Sequence, residues 1–237
     1  MRNIFLSLGS NLGDRGDFLQ RALESLEKWG VSVLRTSSIY EAEAVGERGE
    51  ILKDAAGKAQ PGFLNMVIEV ETERSPEDLL MVIHAIERAL GRERGEARAG
   101  RQGREAQSEL QSGGVKSSGQ RSGAQPRFQP RTIDLDILFF GDLVYDFEKK
   151  IRTGPEIHVT TEKVGFANDA CDQVAHARDV RDQAASLIIP HPRLQERKFV
   201  LIPMTEIAPD FVHPVLKKSM QELLKECPDK SIVTVLR

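Results

Sequence analysis

The stretch from Phe63 to Thr72 alternates between two kinds of side chain, and this feature constrains the fold more than any other. Large apolar residues occupy every second position, at Leu64, Met66, Ile68 and Val70. Because successive side chains of a β-strand point to opposite sides of the sheet, the pattern predicts a strand with one fully apolar face. The chain therefore needs a sheet whose apolar face is covered by other elements.

The remaining periodicity predicts an α+β fold around this strand. The patterns indicate strands over 3–8, 31–40, 131–140 and 232–236, a hairpin return strand over 143–145, and helices over 14–29, 75–91 and from the Ser219 capping box onward. The order β-α-β-β-α-β, with strands that often follow one another directly, favours a mostly antiparallel sheet over a doubly wound parallel one. We expect a ferredoxin-like two-layer sandwich with helices packed on that sheet.

Three stretches with weak periodicity interrupt this layout, at about 46–60, 95–126 and 147–186. The second is rich in Gly, Ser, Gln and Arg and is predicted to be a mobile loop. The third contains enough apolar residues for a short helix. A chain of 237 residues fits one domain or at most two, so we predict a single domain over 1–237 with three long loop insertions.

Composition excludes several classes of partner. Thirty-three basic and 36 acidic residues leave a net charge of −3, which gives no electrostatic basis for sequence-independent binding to nucleic acid or anionic lipid. Apolar runs such as 137–140 are far shorter than the roughly 18–20 residues that cross a bilayer. The amino terminus is typical of a strand rather than a secretion signal. Two cysteines, Cys171 and Cys227, fit a reducing compartment, so we expect a cytoplasmic protein.

Two acidic residues on one predicted strand suggest a metal site. Asp134 and Asp136 are two positions apart, so their carboxylates project from the same face at a spacing of about 7 Å. Two carboxylates in a dry site repel each other unless a cation lies between them. Hard oxygen ligands favour Mg²⁺ over Zn²⁺, and phosphate oxygens commonly complete the magnesium shell. An exposed strand with two ordinary acids is the alternative, which a D-x-D motif alone favours.

Four further motifs accompany this pair in a fixed order. They are 8–14 (LGSNLGD), Phe63 with Asn65, Glu87 with Gly91, Arg92 and Arg94, and the sequence Pro190-His191-Pro192 followed by Arg197 and Phe199. Together with residues 130–137 (PRTIDLDI), these motifs resemble the 6-hydroxymethyl-7,8-dihydropterin pyrophosphokinases of the folate pathway. The resemblance covers the part of the chain outside the three insertions.

The resemblance implies transfer of diphosphate from ATP to the hydroxymethyl group of a pterin, with release of AMP. It implies a monomer that binds only small molecules, with two Mg²⁺ ions at Asp134 and Asp136. Arg92 and Arg131 would join these aspartates in catalysis. The implied ATP contacts are His84, Glu87, Arg92, Arg94, Arg131, Ile137, His191 and Arg197. The implied pterin contacts are Val45, Phe63, Asn65, Phe128 and Phe199, with Phe63 and Phe199 sandwiching the flat ring.

Some positions depart from the family pattern and leave alternatives open. Phe128 stands where a tryptophan is usual, and residues 41–45 differ from the usual segment. His84 and Glu87 also fit an ordinary surface pair at i and i+3. The insertion over 95–126 is predicted to be an enlarged lid whose arginines reach phosphate. The alternative functions are an inactive nucleotide-binding module of ferredoxin-like fold and a D-x-D nucleotidyltransferase, which would release diphosphate instead of AMP.

Overall fold

The computed structural model describes residues 3–44, 52–53, 57–91, 131–146, 151–154 and 187–236. Its strands are β1 (Ile4–Ser10), β2 (Ser32–Thr36), β3 (Tyr40–Ala42), β4 (Phe63–Glu71), β5 (Asp134–Phe140), β6 (Val144–Asp146), β7 (Ile151–Thr153), β8 (Ile188–Ile189) and β9 (Val233–Val235). Its helices are α1 (Arg15–Lys28), α2 (Pro76–Ala89), α3 (Lys198–Ile207) and α4 (Met220–Glu226), with a short 3₁₀ turn at Leu194–Glu196.

The main sheet is antiparallel and places β1 between β4 and β5, in the order β5-β1-β4-β3-β9. Strand β2 also pairs with β4. The predicted single strand over 31–40 is therefore two strands on the same partner, separated by residues 37–39. Within this gap the backbone N–H of Ser37 donates to the carbonyl of Val67. The antiparallel sheet with its helices confirms the predicted α+β class.

A second, small sheet has the order β7-β6-β8. The predicted β5–β6 hairpin is wrong, because the partners of β6 in the described chain are β7 and β8. The N–H of Gly141 donates to the carbonyl of Asn3, and the buried Leu143 and Tyr145 pack into the main core beyond that turn. Strand β7 also lies inside the stretch over 147–186, which was expected to be a loop.

Helices cover both faces of the main sheet. The first core contains the even-numbered apolar residues of β1 and β4 and the apolar faces of α1 and α2, for example Leu6, Ile68, Leu26 and Ile83. The second core contains Phe5, Val67, Phe139, Val200, Leu201, Met204, Met220 and Leu223, from the opposite face of the sheet and from α3 and α4. The predicted two-layer sandwich is therefore wrong, since the described chain forms three layers.

Helix starts follow the capping residues in the sequence. The side chains of Asp14, Ser75 and Ser219 accept hydrogen bonds from the first-turn amides of α1, α2 and α4. The predicted capping box of Ser219 and Glu222 is confirmed. Among the described residues, no helix is both long and apolar enough to cross a bilayer.

Candidate active site

Strand β5 presents its two aspartates on the second-core face of the sheet. Leu135 and Ile137 point into the first core, so the alternating positions Asp134 and Asp136 project from the other side. Both aspartates are only partly buried. The predicted same-face geometry of the pair is confirmed.

The strand register aligns Asp134 with two residues from other motifs. Gly9 of β1 pairs with Asp134 of β5 on one side and with Asn65 of β4 on the other. Because paired residues of adjacent strands project from the same face, Asn65 and Asp134 lie on either side of Gly9. In the neighbouring row, Ser7 separates Asp136 from Val67.

Gly9 leaves open space between the Asn65 amide and the Asp134 carboxylate. A Cβ atom at this position would lie 3.3 Å from Asn65 Oδ1 and 3.9 Å from Phe63 Cδ1. A side chain would therefore crowd the space between these groups. From the sequence, Gly9 was interpreted only as part of a family motif; a glycine near the end of a buried strand is the signal that could have identified it.

Cationic groups surround the aspartate pair. Arg131 forms an ion pair with Asp134. Burial lowers the pKa of the Arg197 guanidinium, while the nearby carboxylates of Asp136 and Asp134 act in the opposite direction. The positive charge of Arg197 thus lies beside both aspartates.

His191 is held neutral with a defined tautomer. Its backbone N–H donates to the carbonyl of Leu138, and its Nδ1 accepts a hydrogen bond of 3.2 Å from the backbone N–H of Arg193. Burial, followed by the charge of Arg197, lowers the pKa of His191 to about 4, against an opposing effect of Asp134. A neutral ring with Nδ1 as acceptor carries its hydrogen on Nε2, so His191 offers a neutral N–H donor there.

Two phenylalanines belong to elements that border this face. Phe63 begins β4, and Phe199 lies in the first turn of α3, where the Arg197 guanidinium is 5.6 Å from its ring centroid. Asn65 is nearly fully buried, and its Nδ2 donates to the carbonyl of Phe63 over 3.1 Å. The structure thus places Phe63, Asn65, Arg197 and the aspartates on one face or at its edge.

Asn11 joins the segments that lead into β4 and β5. This fully buried residue accepts from the Arg131 N–H through Oδ1 over 2.7 Å and donates its own N–H to the Arg131 carbonyl over 3.1 Å. Its Nδ2 donates to Gln60 Oε1 over 3.2 Å. Sequence reasoning missed this role, because it depends on contacts 49 and 120 residues away.

Several predicted ATP contacts lie in the first-core layer. His84 and Glu87 of α2 are buried, so the surface-pair alternative is wrong. Glu87 Oε1 accepts a hydrogen bond of 2.9 Å from the backbone N–H of Leu135, which fixes the start of β5. The side chain of Ile137 is in the first core, so a contact with nucleotide would come from its backbone.

The remaining predicted site residues lie outside the described chain. These are Val45, Arg92, Arg94 and Phe128, together with the insertion over 95–126.

The donor chemistry of the face fits magnesium held together with phosphate. Asp134 and Asp136 supply hard oxygen ligands, and nowhere in the described part of the chain do three or more His, Cys, Asp or Glu side chains gather as a metal cluster. Two carboxylates fill only part of a six-oxygen shell, so water or phosphate oxygens would provide the rest.

Comparison with known proteins identifies the family. Residues 5–105 and 107–209 match the family described as 7,8-dihydro-6-hydroxymethylpterin-pyrophosphokinase (HPPK). The 2-amino-4-hydroxy-6-hydroxymethyldihydropteridine pyrophosphokinase of Bacillus subtilis is 31% identical over 87% of this chain and 79% of its own length. The enzyme of the same name from Aquifex aeolicus is 26% identical, over 100% of this chain and 99% of its own.

Other relatives are much longer proteins. The folic acid synthesis protein fol1 of Pneumocystis carinii is 31% identical over 98% of this chain, which spans only 21% of that relative. The fol1 protein of Schizosaccharomyces pombe is likewise matched over 21% of its length. A crystal structure of Plasmodium falciparum HPPK-DHPS has a similar fold, with a TM-score of 0.55 and 17% identity over 95% of this chain and 43% of that one. On the extent of the family match and the identity to the Bacillus enzyme, this chain belongs to the 7,8-dihydro-6-hydroxymethylpterin-pyrophosphokinase family.

Proposed function

We propose that this protein transfers the terminal diphosphate of ATP to the hydroxymethyl oxygen of 6-hydroxymethyl-7,8-dihydropterin and releases AMP, as a step of folate synthesis. Family membership supports this activity. The observation that carries it is the row across the sheet in which Asn65 and Asp134 flank Gly9. In this row, the amide that would bind the heterocycle lies two strands away from the carboxylate that would bind magnesium.

The pterin would bind on the Asn65 side of this row. The Phe63 and Phe199 rings would stack on the flat heterocycle, with about 0.5–1.5 kcal/mol for each aromatic contact beyond apolar burial. The nearly fully buried Asn65 amide would discriminate among rings by their hydrogen-bond donors and acceptors, because a mismatched ring would leave a buried polar group without a partner from the ring. Val45 and Phe128 would complete the pterin site.

ATP would bind on the aspartate side. Asp134 and Asp136 would hold Mg²⁺, which would neutralise part of the phosphate charge. ATP carries a charge of about −4, two Mg²⁺ ions would add +4 and the two aspartates add −2, which leaves about −2. Arg92, Arg131 and Arg197 would bring the total charge of the site to about +1. Arg94, His84 and Glu87 would complete the nucleotide site, Glu87 through its hold on β5.

Positioning and charge stabilisation account for the reaction. The hydroxymethyl oxygen attacks the β-phosphorus as the bond to the α-phosphate oxygen breaks, and negative charge develops on AMP. The Arg131 and Arg197 guanidiniums and the neutral Nε2–H of His191 would stabilise that charge as donors. A loose transition state of this kind needs in-line geometry more than a strong base, so we assign Asp134 and Asp136 primarily as metal ligands.

We also propose a ferredoxin-like unit within the fold. Two observations support a ferredoxin-like unit. The strands have the order β5-β1-β4-β3, with β2 also paired to β4, and helices α1 and α2 both cover one face of the sheet. The whole chain would be one domain and a monomer in the cytoplasm, with insertions over 46–60, 95–126 and 147–186. Nucleic-acid and membrane partners are not expected, given the net charge of −3.

The proposed function is tested by product analysis of aspartate variants. The protein is incubated with ATP, Mg²⁺ and 6-hydroxymethyl-7,8-dihydropterin, and the nucleotides are separated by chromatography. We expect AMP from the wild type and a loss of turnover of at least about 10³-fold in Asp134→Asn and Asp136→Asn, because each removes a metal-ligating charge. Asp142→Asn is the matched control, since Asp142 is exposed in the turn after β5.

The alternatives give different products. A nucleotidyltransferase releases free diphosphate, and an inactive binding module binds ATP without releasing AMP. Either result from the wild type would contradict the proposed reaction. Full activity of the Asp134→Asn variant would contradict the role of this pair.

A further inference from the structure

Helix α3 begins beside the proposed site but has no N-cap side chain of its own. Arg197 occupies the N-cap position with an extended backbone and makes no side-chain capping hydrogen bond. The amides of a helical first turn have no partner within the helix and need an acceptor from elsewhere.

Asp229 supplies that acceptor from 31 residues further along the chain. Its Oδ2 accepts a hydrogen bond of 2.9 Å from the backbone N–H of Lys198, the first residue of α3. Its Oδ1 accepts one of 2.8 Å from the backbone N–H of Ser231. The segment between α4 and β9 is thereby tied to the start of α3.

The carboxylate is well suited to this task. Burial raises the pKa of Asp229, but hydrogen bonds from the Ser231 and Lys198 amides shift it further in the opposite direction, and the net effect lowers the pKa. The group is therefore ionised at neutral pH. A charged acceptor makes a stronger hydrogen bond to an amide than a neutral one, and negative charge is favourable at a helix N-terminus.

The amide held by Asp229 lies between two proposed substrate contacts. Arg197 precedes it and lies beside Asp136 and Asp134, whereas Phe199 follows it. A rotation of the backbone at Lys198 would change the position of the Arg197 guanidinium relative to the Phe199 ring, whose centroid is 5.6 Å from it.

The opposite end of α3 is anchored separately. Arg35 donates to the carbonyl of Ile207 over 2.7 Å and pairs with Glu69 over 2.6 Å. Glu206 accepts hydrogen bonds from Ser38 and from the Tyr40 hydroxyl. These contacts hold the C-terminal end of the helix on the sheet, so loss of Asp229 would free the N-terminal turn without releasing the whole helix.

We propose that Asp229 is a positioning residue for both substrates: it fixes the first turn of α3 so that Arg197 faces the phosphates and Phe199 faces the pterin. This inference rests on the proposed function for the identity of the substrates. Asp229 itself contacts the first residue of α3 and acts through the Lys198 amide.

The test compares two N-cap deletions. Asp229→Ala removes the acceptor at α3, and Ser219→Ala removes the N-cap of α4, a helix without proposed site residues. We expect Asp229→Ala to raise KM for both ATP and pterin and to lower kcat/KM by at least about tenfold. Ser219→Ala should stay within about twofold of the wild type, although both variants lower Tm. Asp229→Asn keeps one oxygen acceptor and should recover much of the loss.

Hydrogen exchange separates failure of this inference from failure of the proposed function. In Asp229→Ala, the Lys198 amide should exchange faster than in the wild type and in Ser219→Ala. Equal kinetics of the two alanine variants would overturn the positioning role. Absence of AMP from the wild type would contradict the proposed function, and with it the identity of the substrates. Unchanged exchange at Lys198 in Asp229→Ala would overturn the inference itself, because Asp229 would then not hold the first turn of α3.

Discussion

At the scale of single residues, the site depends on a position without a side chain. Gly9 lies in β1 between Asn65 and Asp134, and its missing Cβ keeps the surface between them open. A contact of 3.3 Å from a Cβ to Asn65 Oδ1 is tighter than ordinary packing, so an alanine would have to displace the amide.

Gly9→Ala should therefore impair pterin binding more than folding. We expect KM for the pterin to rise by about tenfold, with a loss of unfolding free energy of no more than about 1 kcal/mol, because Gly9 is in a strand where a Cβ is otherwise favourable. Steady-state kinetics and urea unfolding measure the two effects. The control is Gly16→Ala in α1, where the nearest atom to a new Cβ is 3.8 Å away and alanine favours the helix. An unchanged KM in Gly9→Ala would exclude crowding of Asn65 as a determinant of pterin binding.

His191 couples the site to pH. Its pKa of about 4 in the folded protein is below the ordinary value of 6.5, so the unfolded chain binds more protons between these pH values. Stability contributed by neutral His191 is thus complete above pH 6.5 and declines as the pH falls. His213, whose pKa burial also lowers, contributes with the same sign.

The His191→Gln variant should have a flatter stability profile. Between pH 7 and pH 5, without Mg²⁺ and nucleotide, the wild type should lose about 2 kcal/mol more unfolding free energy than the variant, because only the wild type must keep this imidazole neutral. Urea titrations at each pH measure the difference, and His213 is present in both proteins. Parallel profiles would show that His191 is protonated as readily in the folded as in the unfolded protein.

At the scale of secondary structure elements, periodicity predicted the strands and helices that have one buried face. The alternation in β4 and the helical spacing of Leu79, Val82, Ile83 and Ile86 in α2 are examples. Helix α3 was not predicted, because its sequence KFVLIPMTEI is nearly continuous in apolar residues and contains Pro203. Such a run lacks an amphipathic period, and its helical state depends on distant anchors such as Asp229 and Arg35.

The contacts of Arg35 should stabilise the folded protein more than an ordinary surface ion pair does. Glu69 is buried, and Arg35→Ala would leave its carboxylate without that partner and the Ile207 carbonyl without that donor. Arg35 is itself about half exposed, so solvent screening reduces the effect, and we expect a loss of about 1–3 kcal/mol in unfolding free energy. Denaturant unfolding measures it, and the double variant Arg35→Ala with Glu69→Gln should recover part of the loss. If the double variant recovers nothing, the loss of unfolding free energy in Arg35→Ala does not arise from the unpaired Glu69 carboxylate.

At the scale of the whole molecule, the sequence predicts candidate site residues but not how the fold brings distant ones together. The spacing of Asp134 and Asp136 predicted a shared face, since that follows from strand geometry alone. The alignment of Asp134 with Gly9 and Asn65 depends on strand register, and the role of Asn11 depends on contacts with Gln60 and Arg131. Local patterns do not contain these long-range pairings.

The number of layers was also not predictable from local sequence patterns. One face of β4 was recognised as core, whereas the opposite face, with Asn65, Val67 and Glu69, had a mixed pattern. Phe5, Val67 and Phe139 become a second core only when α3 and α4 cover them. The polar residues Asn65, Asp134 and Asp136 occupy the same face beyond that core, which leaves part of the sheet surface for the proposed substrates.

We propose that one face of this sheet aligns the pterin hydroxymethyl group with the β-phosphorus of ATP. The most direct measurement follows a label placed on the β-phosphate of ATP during turnover with 6-hydroxymethyl-7,8-dihydropterin and Mg²⁺. We expect the label to appear in pterin diphosphate and the AMP formed to be unlabelled. Label in ADP would contradict this, because ADP forms by attack at the γ-phosphorus. Label in free diphosphate would also contradict it, because the diphosphate would then not have been transferred to the pterin.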